Sequence, residues 1–449
     1  MLYLLVRNHR FWLESHRLGF LRLFQDVTFQ STMATILSFA IVLLLGPRTI
    51  AWLRRQKIGD NPSFDQPELD HLMRGKRGVP TMGGILIIAA IALTVLALAD
   101  LNNFYVRMAL VCLIWLGAVG AVDDWLKLAS HRRQIALAME RASGGDETDF
   151  PSGSAPVREF ASAAHAGAGR AASRPIADPA PLGTAVAAPA PAAGATTSRQ
   201  GLTGLEKLLF QVGLAVVLAV FTYGYGVNNE ASHTLFFPFV KQLHVVLPMW
   251  AFIAICAVVL TGTSNAVNLT DGVDGLAAGC MAIASFAFVV LALIAGADEF
   301  RFGSRSLTDY LYLPHIAASD QMAVIAGAMV GACVGFLWFN CNPARVFMGD
   351  TGSLALGGLI GYIAIVIRQE LLLFLIGGIF VVEAMSVMIQ VSYFKYTRRR
   401  FGQGRRVFLM SPLHHHFQRK GWTETQVVVR FWLIGAMLAM LALATVKIR

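Results

Sequence analysis

About ten stretches of this chain are long and apolar enough to cross a hydrocarbon layer as helices, and this excludes most other folds. They fall at 29–46, 82–99, 104–122, 208–227, 246–263, 275–296, 322–339, 353–367, 371–391 and 427–446. A membrane-spanning helix needs roughly 20 predominantly apolar residues, whereas a barrel strand needs about 10 of alternating character. These runs have helical length and do not alternate. The expectation is an all-α integral membrane protein of about ten transmembrane helices. Composition agrees: 56% of the 449 residues are hydrophobic and 14% are charged, against about 25% charged in a soluble domain.

Alternating crossings put the loops at 47–81, 123–207, 264–274, 340–352 and 392–426 on one face. Those loops hold Arg48, Arg54, Arg55, Lys57, Arg74, Lys76, Arg77, Lys127, Lys207, Arg398 to Arg400, Arg405 and Arg406, while the opposite loops hold few basic residues. The positive-inside bias makes the first face cytoplasmic and leaves both termini outside. Residues 1–28 mix Trp12, Phe20 and several leucines with Arg7, Arg10, Arg17 and Arg22, the pattern of a periplasmic interfacial segment. Its four arginines run against the assigned sidedness, and the several basic loops outweigh them. Residues 29–449 then form one polytopic domain. Within it, 135–198 is rich in Ala, Pro, Gly and Ser and poor in large apolar side chains. It is expected to be a disordered cytoplasmic insertion.

The formal net charge of +10 suits basic loops, anionic lipid and phosphorylated substrates. The basic residues are scattered over several loops, which argues against nucleic acid. Cys112, Cys256, Cys280, Cys333 and Cys341 show no paired spacing, so neither disulfides nor a thiolate metal site is expected.

Every unusual polar cluster falls on the cytoplasmic face; simple loop decoration would mark both faces. Residues 340–353 break two apolar runs with Asn340, Asn342, Arg345 and Asp350, groups that are costly in hydrocarbon and usually functional at a water-facing mouth. Asp350 lies between Gly349 and a Thr-Gly-Ser run, where a carboxylate can approach a phosphate-bound cation closely. Asp123 and Asp124 follow a long apolar run. Adjacent carboxylates repel unless a cation is near, which makes them candidates for a proton acceptor and a cation contact. Lys76-Arg77 precedes Pro80-Thr-Met-Gly-Gly84, with glycines that permit close backbone approach. Asn265-Ala-Val-Asn-Leu-Thr-Asp-Gly-Val-Asp-Gly275 is dense polar chemistry in a short connection, too short for a linker with no task. His414, His415 and His416 cannot all reach one ion from a helix, because consecutive residues point about 100° apart. The surplus of Asp and lack of Cys favour a hard cation, Mg2+ over Zn2+. No Walker A pattern is present, which argues against an ATP-driven machine.

These motifs together resemble the phospho-N-acetylmuramoyl-pentapeptide transferases, the muramoyl branch of the polyprenyl-phosphate sugar-1-phosphate transferase superfamily. The resemblance rests on Pro80–Gly84, Val122-Asp-Asp124, Asn265–Gly275, Phe347-Met-Gly-Asp-Thr-Gly-Ser353 and His414–His416. It covers the chain apart from about 135–198. It implies a multi-pass enzyme of the bacterial inner membrane with its active site on the cytoplasmic face. Asp350 is the implied Mg2+ ligand, Asp123 and Asp124 the acidic pair with Asp123 the base, and His414 the essential histidine. Lys76, Gly272, Val273, Asp274, Asn340 and Phe347 are implied as the uridine pocket, with Phe347 stacking on the base. Lys207 and Asp271 match polar positions near the nucleotide. Asn265, Asn268, His415 and His416 complete the candidate substrate-binding set. A Lys-rich loop usual after the acidic pair is replaced here by His131, Arg132, Arg133 and the insertion, so the family's diphosphate-contacting Lys has no assigned counterpart.

The implied reaction moves phospho-MurNAc-pentapeptide from UDP-MurNAc-pentapeptide to undecaprenyl phosphate, giving lipid I and UMP in peptidoglycan biosynthesis. The lipid phosphate could attack directly, or a carboxylate could form a covalent intermediate. Membrane lipid and a second copy of the chain, as a homodimer, are further candidate partners. The alternative enzyme is a polyprenyl-phosphate N-acetylhexosamine-1-phosphate transferase. A transporter is the rival from another class, but its polar sites would gather near the midplane rather than at one mouth.

Overall fold

The computed structural model describes residues 19–56, 78–143, 201–226, 228–238, 240, 243–296, 301–302, 305–311 and 313–446. Lys76, most of the expected interfacial segment and residues 144–198 of the expected insertion lie outside them. The chain divides into two compact units, one of residues 1–129 with 201–449 and one of residues 130–200.

The α-helices of seven residues or more are α1 Val27–Arg55, α2 Gly84–Leu98, α3 Phe104–Ser143, α4 Gly204–Tyr225, α5 Met249–Thr270, α6 Leu276–Gly296, α7 Gln321–Asn340, α8 Gly349–Val366, α9 Glu370–Ile376, α10 Gly378–Phe401, α11 Leu413–Arg419 and α12 Glu424–Thr445. Among the described residues nine helices have the length and apolarity of a membrane span, and α2 is a shorter apolar helix. The fold is an all-α membrane protein, as its apolar runs require.

Two expected boundaries move for one reason. Asn265 and Asn268 belong to α5, and Asp123 and Asp124 lie inside α3. Polar residues end a helix only when they compete for its backbone bonds or break its geometry, and here they face neighbouring helices instead. α3 runs on to Ser143, so residues 135–143 of the segment expected to be disordered are helical. The expected run at 371–391 is broken at Gly377 into α9 and α10, and α10 extends to Phe401.

α8 buries 89% of its apolar window and α7 78%, against 28% for α1 and 33% for each of α4, α10 and α12. α8 and α7 therefore form the centre, with α6 next at 67%, and α1, α4, α10 and α12 present apolar surface outward. Membrane helices gain little hydrophobic drive from meeting one another, so close packing of small residues matters. Gly327, Gly331 and Gly335 form such a stripe on α7: a Cβ at any of them would collide with α1 at Ser31, Thr35 or Val42. Thr35 Oγ1 also donates to the Gly327 carbonyl at 3.0 Å.

The same device sets the site. A Cβ on Gly84 of α2 would strike the backbone of Gly352, and one on Gly120 of α3 would strike the Asp350 carbonyl. Both glycines let the first turn of α8 sit against α2 and α3. At the far end of the bundle, β1 Thr234–Phe236 pairs antiparallel with β2 His244–Val246. A buried ion pair, Arg368 to Glu370 at 2.8 Å, lies there, and Arg368 Nε donates to the Thr234 carbonyl. Burial pushes the Glu370 carboxyl upward, and Arg368 opposes this.

Candidate active site

The first turn of α8 is shaped from both sides. Phe347 N donates to the Pro80 carbonyl, Gly83 N to the Phe347 carbonyl and Gly84 N to the Met348 carbonyl, each at 2.8 Å. The Pro80–Gly84 motif thus scaffolds the loop that delivers Asp350. Gly349 has φ +73°, and a Cβ there would meet Asp124 Oδ2 at 2.7 Å. Glycine answers both the backbone and the space.

Asp124 caps α8 from α3. Its Oδ2 accepts from Thr351 N at 3.0 Å and Thr351 Oγ1 at 2.7 Å, and its Oδ1 from Asp350 N at 3.2 Å. A carboxylate at the positive end of a helix is favourably placed.

Asp123, fully buried, points into a charged cluster. Its Oδ1 accepts from Leu202 N at 2.7 Å. Its Oδ2 lies 2.7 Å from Lys207 Nζ and 2.8 Å from Lys127 Nζ. Both ammoniums continue to Asp350 Oδ2, at 2.6 Å from Lys207 and 3.1 Å from Lys127. Oxygens of Asp123, Asp124 and Asp350 all lie within 4.8 Å of one another. Three carboxylates against two ammoniums leave the cluster short of positive charge. An all-oxygen donor set this compact fits a hard divalent cation better than a soft one.

Asp271 caps the end of α5, and Gly272 follows it. Burial, then the charges of Asp350 and Asp124, pushes the Asp271 carboxyl well above the ordinary range, with the Gly349 N–H pulling it back. His414 reaches the same turn from α11: a Cβ on Gly272 would collide with its Nε2. Its Nδ1 lies 3.3 Å from Glu383 Oε1 of α10. Glu383 also holds the backbone, accepting from Leu413 N at 2.7 Å and His414 N at 3.1 Å.

The remaining candidates spread over three places. Asp274 Oδ2 accepts from Asn342 Nδ2 and Ala344 N, and its own N–H donates to Glu424. Asn340 accepts from Gly275 N and donates to the Val346 carbonyl. These two side chains hold the 341–348 loop, with Val273 buried beside them and Phe347 half-buried. Asn268 donates to Ser353 Oγ, and Asn265 turns deeper to Gln211 and the Thr261 carbonyl. His415 Nδ1 meets Gln418 Oε1 within α11, and His416 Nδ1 accepts from Leu409 N. Burial and then Lys420 lower the His416 pKa.

Three residues outside the candidate set contact its members: Lys127 meets Asp123, Glu383 meets His414 and Gln211 meets Asn265. The signal that could have found Lys127 is its spacing, four residues after Asp123, had the helix been carried past 122. Glu383 and Gln211 carry a signal that could have found them, a polar residue within an apolar run.

Fold and site together define a polytopic membrane protein with a lysine-bridged carboxylate centre at one end of its bundle, suited to charged phosphate chemistry. The family model described as glycosyl transferase family 4 matches residues 184–368. The chain is also 37% identical over 427 residues, 95% of its own length and 95% of its relative's, to a phospho-N-acetylmuramoyl-pentapeptide-transferase of Desulfotalea psychrophila. It belongs to the phospho-N-acetylmuramoyl-pentapeptide-transferase family.

Proposed function

We propose that this chain transfers phospho-MurNAc-pentapeptide from UDP-MurNAc-pentapeptide to undecaprenyl phosphate, releasing UMP and forming lipid I. The observation that carries this is the pairing of Asp123 and Asp350, on two helices, through the ammoniums of Lys127 and Lys207. Such a cluster can exchange its internal pairing for a phosphate and a cation. Mg2+ held by Asp350, with Asp123 beside it, would offset charge on the diphosphate as UMP leaves.

The chain's own residues do the rest. The two lysines turn from the carboxylates to the phosphates, Lys127 more readily because its side chain is 45% exposed against 19% for Lys207. That movement also frees Asp123 Oδ2, the condition for Asp123 to take a proton from the lipid phosphate. Asp124 keeps the first turn of α8 in place throughout. Asp271 and His414 meet at the Gly272 turn, with Glu383 holding the His414 backbone. Phe347, anchored through its backbone to Pro80 and Gly83, would stack on the base.

The location follows from the substrates. A polyprenyl phosphate keeps its tail in hydrocarbon and its head at the interface, and the nucleotide sugar is cytoplasmic. The proposed setting is the bacterial inner membrane with the cluster at the cytoplasmic mouth. Purified enzyme given each candidate UDP-sugar with and without Mg2+ provides the test. Metal-dependent UMP release with UDP-MurNAc-pentapeptide supports the reading; release with a UDP-N-acetylhexosamine instead moves it to the sister branch. The expected homodimer is checked by mass in detergent.

A further inference from the structure

A buried polar link beneath the charged cluster takes no part in the proposed chemistry. Gln211 of α4 is fully buried, one helical turn from Lys207 on the same helix. Its Oε1 accepts from Asn265 Nδ2 at 2.8 Å, and its Nε2 donates to Ser264 Oγ at 3.1 Å. Both partners belong to α5. Ser264 Oγ then donates to the Leu354 carbonyl of α8 at 3.1 Å, one turn from Asp350. One amide therefore joins the helix of Lys207 to the helix that ends at Asp271 and, through Ser264, to the helix that begins with Asp350.

An amide inside an apolar bundle is costly unless bonded, and an apolar side chain would fill the position without that demand. Lys207, meanwhile, bridges carboxylates on two other helices at 2.6 and 2.7 Å. A bridge that short at both ends tolerates little slide or rotation of α4. We infer that Gln211 is a positioning residue for the transfer reaction: its bonds to Ser264 and Asn265 hold α4 in the register at which Lys207 reaches both Asp123 and Asp350. This inference rests on the proposed function for its catalytic consequence and on the geometry alone for its effect on Lys207.

The test is a double-mutant cycle in the full-length enzyme with Gln211→Met, Lys207→Met and the pair. Misplacement of a catalytic group by an ångström costs up to about a hundredfold in rate. Gln211→Met is expected to lower kcat roughly tenfold or more with KM for the nucleotide donor little changed, and to cost nothing further beside Lys207→Met. Multiplying losses in the pair would overturn the inference, because Gln211 would then act independently of Lys207. Ser264→Ala, which removes only a hydroxyl, repeats the cycle if Gln211→Met folds poorly. Manganese affinity, titrated without substrate, reads the same coupling apart from the reaction. Unseating Lys207 should raise it in Gln211→Met as in Lys207→Met, and unchanged affinity in the first alone would contradict the inference. A wild type that binds manganese with this coupling yet releases no UMP sinks the proposed function and leaves the positioning role standing.

Discussion

Replacing Lys207 by Met should tighten metal binding while slowing the reaction. Lys207 Nζ lies 2.6 Å from Asp350 Oδ2 and 2.7 Å from Asp123 Oδ2, so a cation arriving at these oxygens competes with a charge already there. Two unit charges 4 Å apart interact by about 4 kcal/mol at an effective dielectric near 20. The net gain is smaller for two reasons. The Lys207 side chain is 19% exposed and so partly screened, and Lys127 stays at 2.8 and 3.1 Å from the same two oxygens. About a third to two thirds of the full interaction leaves roughly 1.3–2.7 kcal/mol, about a tenfold to hundredfold fall in Kd. Manganese titration followed by electron paramagnetic resonance, at one fixed ionic strength, reads this directly. Turnover at saturating metal should fall, since one ammonium no longer pairs with the phosphates. Lys207→Arg keeps the charge and should keep the Kd near wild type. A Lys207→Met enzyme with equal or weaker manganese affinity would refute the idea that ammonium and metal share the same carboxylates.

Three further outcomes follow from the same contacts. The raised Asp271 carboxyl means that the folded protein holds a proton there which the unfolded chain has released; its contribution to stability is present at low pH and is lost as pH rises from the ordinary carboxylate range through the raised value. Asp271→Asn should flatten that fall in thermal stability without metal, and an unchanged slope would show that another group causes it. Gly272→Ala places a methyl group against the His414 ring and should lower turnover severely with the helices intact by circular dichroism; wild-type turnover would mean that His414 need not occupy this position. His414→Ala should cost far more activity than His416→Ala, because His416 is engaged with Leu409 rather than with the site turn, and equal losses would make the histidine run a structural unit.

What could be read from the chain divides along physical lines. The helices were legible because hydrocarbon accepts few alternatives. Their ends were less so: Asn265 and Asn268 look like loop residues, yet stay helical because Gln211 and Ser353 meet their amides inside the bundle. Asp350 stood out through its glycines, whereas the Asp123–Lys127 pair shows only once residues 123–127 are seen to continue α3. The bridge from Lys207 to Asp350 joins positions 143 residues apart, which no local pattern encodes. Asp274 and Asn340 were expected to face the nucleotide. Their side chains are occupied in holding the 341–348 loop, a use visible only once α5, α7 and α12 are packed together. Glu383 reads in sequence as one carboxylate in an apolar run, and its contact with His414 arises because α11 folds back onto α10.

A metal-dependent phospho-sugar transfer at the Asp350 centre has to show itself in both of its products. The most direct measurement follows UMP release and lipid-linked product together, from UDP-MurNAc-pentapeptide and undecaprenyl phosphate, in wild type and Asp350→Asn, each titrated with Mg2+. Equimolar UMP and lipid product are expected from wild type only when Mg2+ is present, with loss of nearly all turnover in a well-folded Asp350→Asn enzyme at every Mg2+ concentration. Near-normal turnover of Asp350→Asn at saturating Mg2+, or movement of the nucleotide sugar into vesicles with no UMP released, would contradict it.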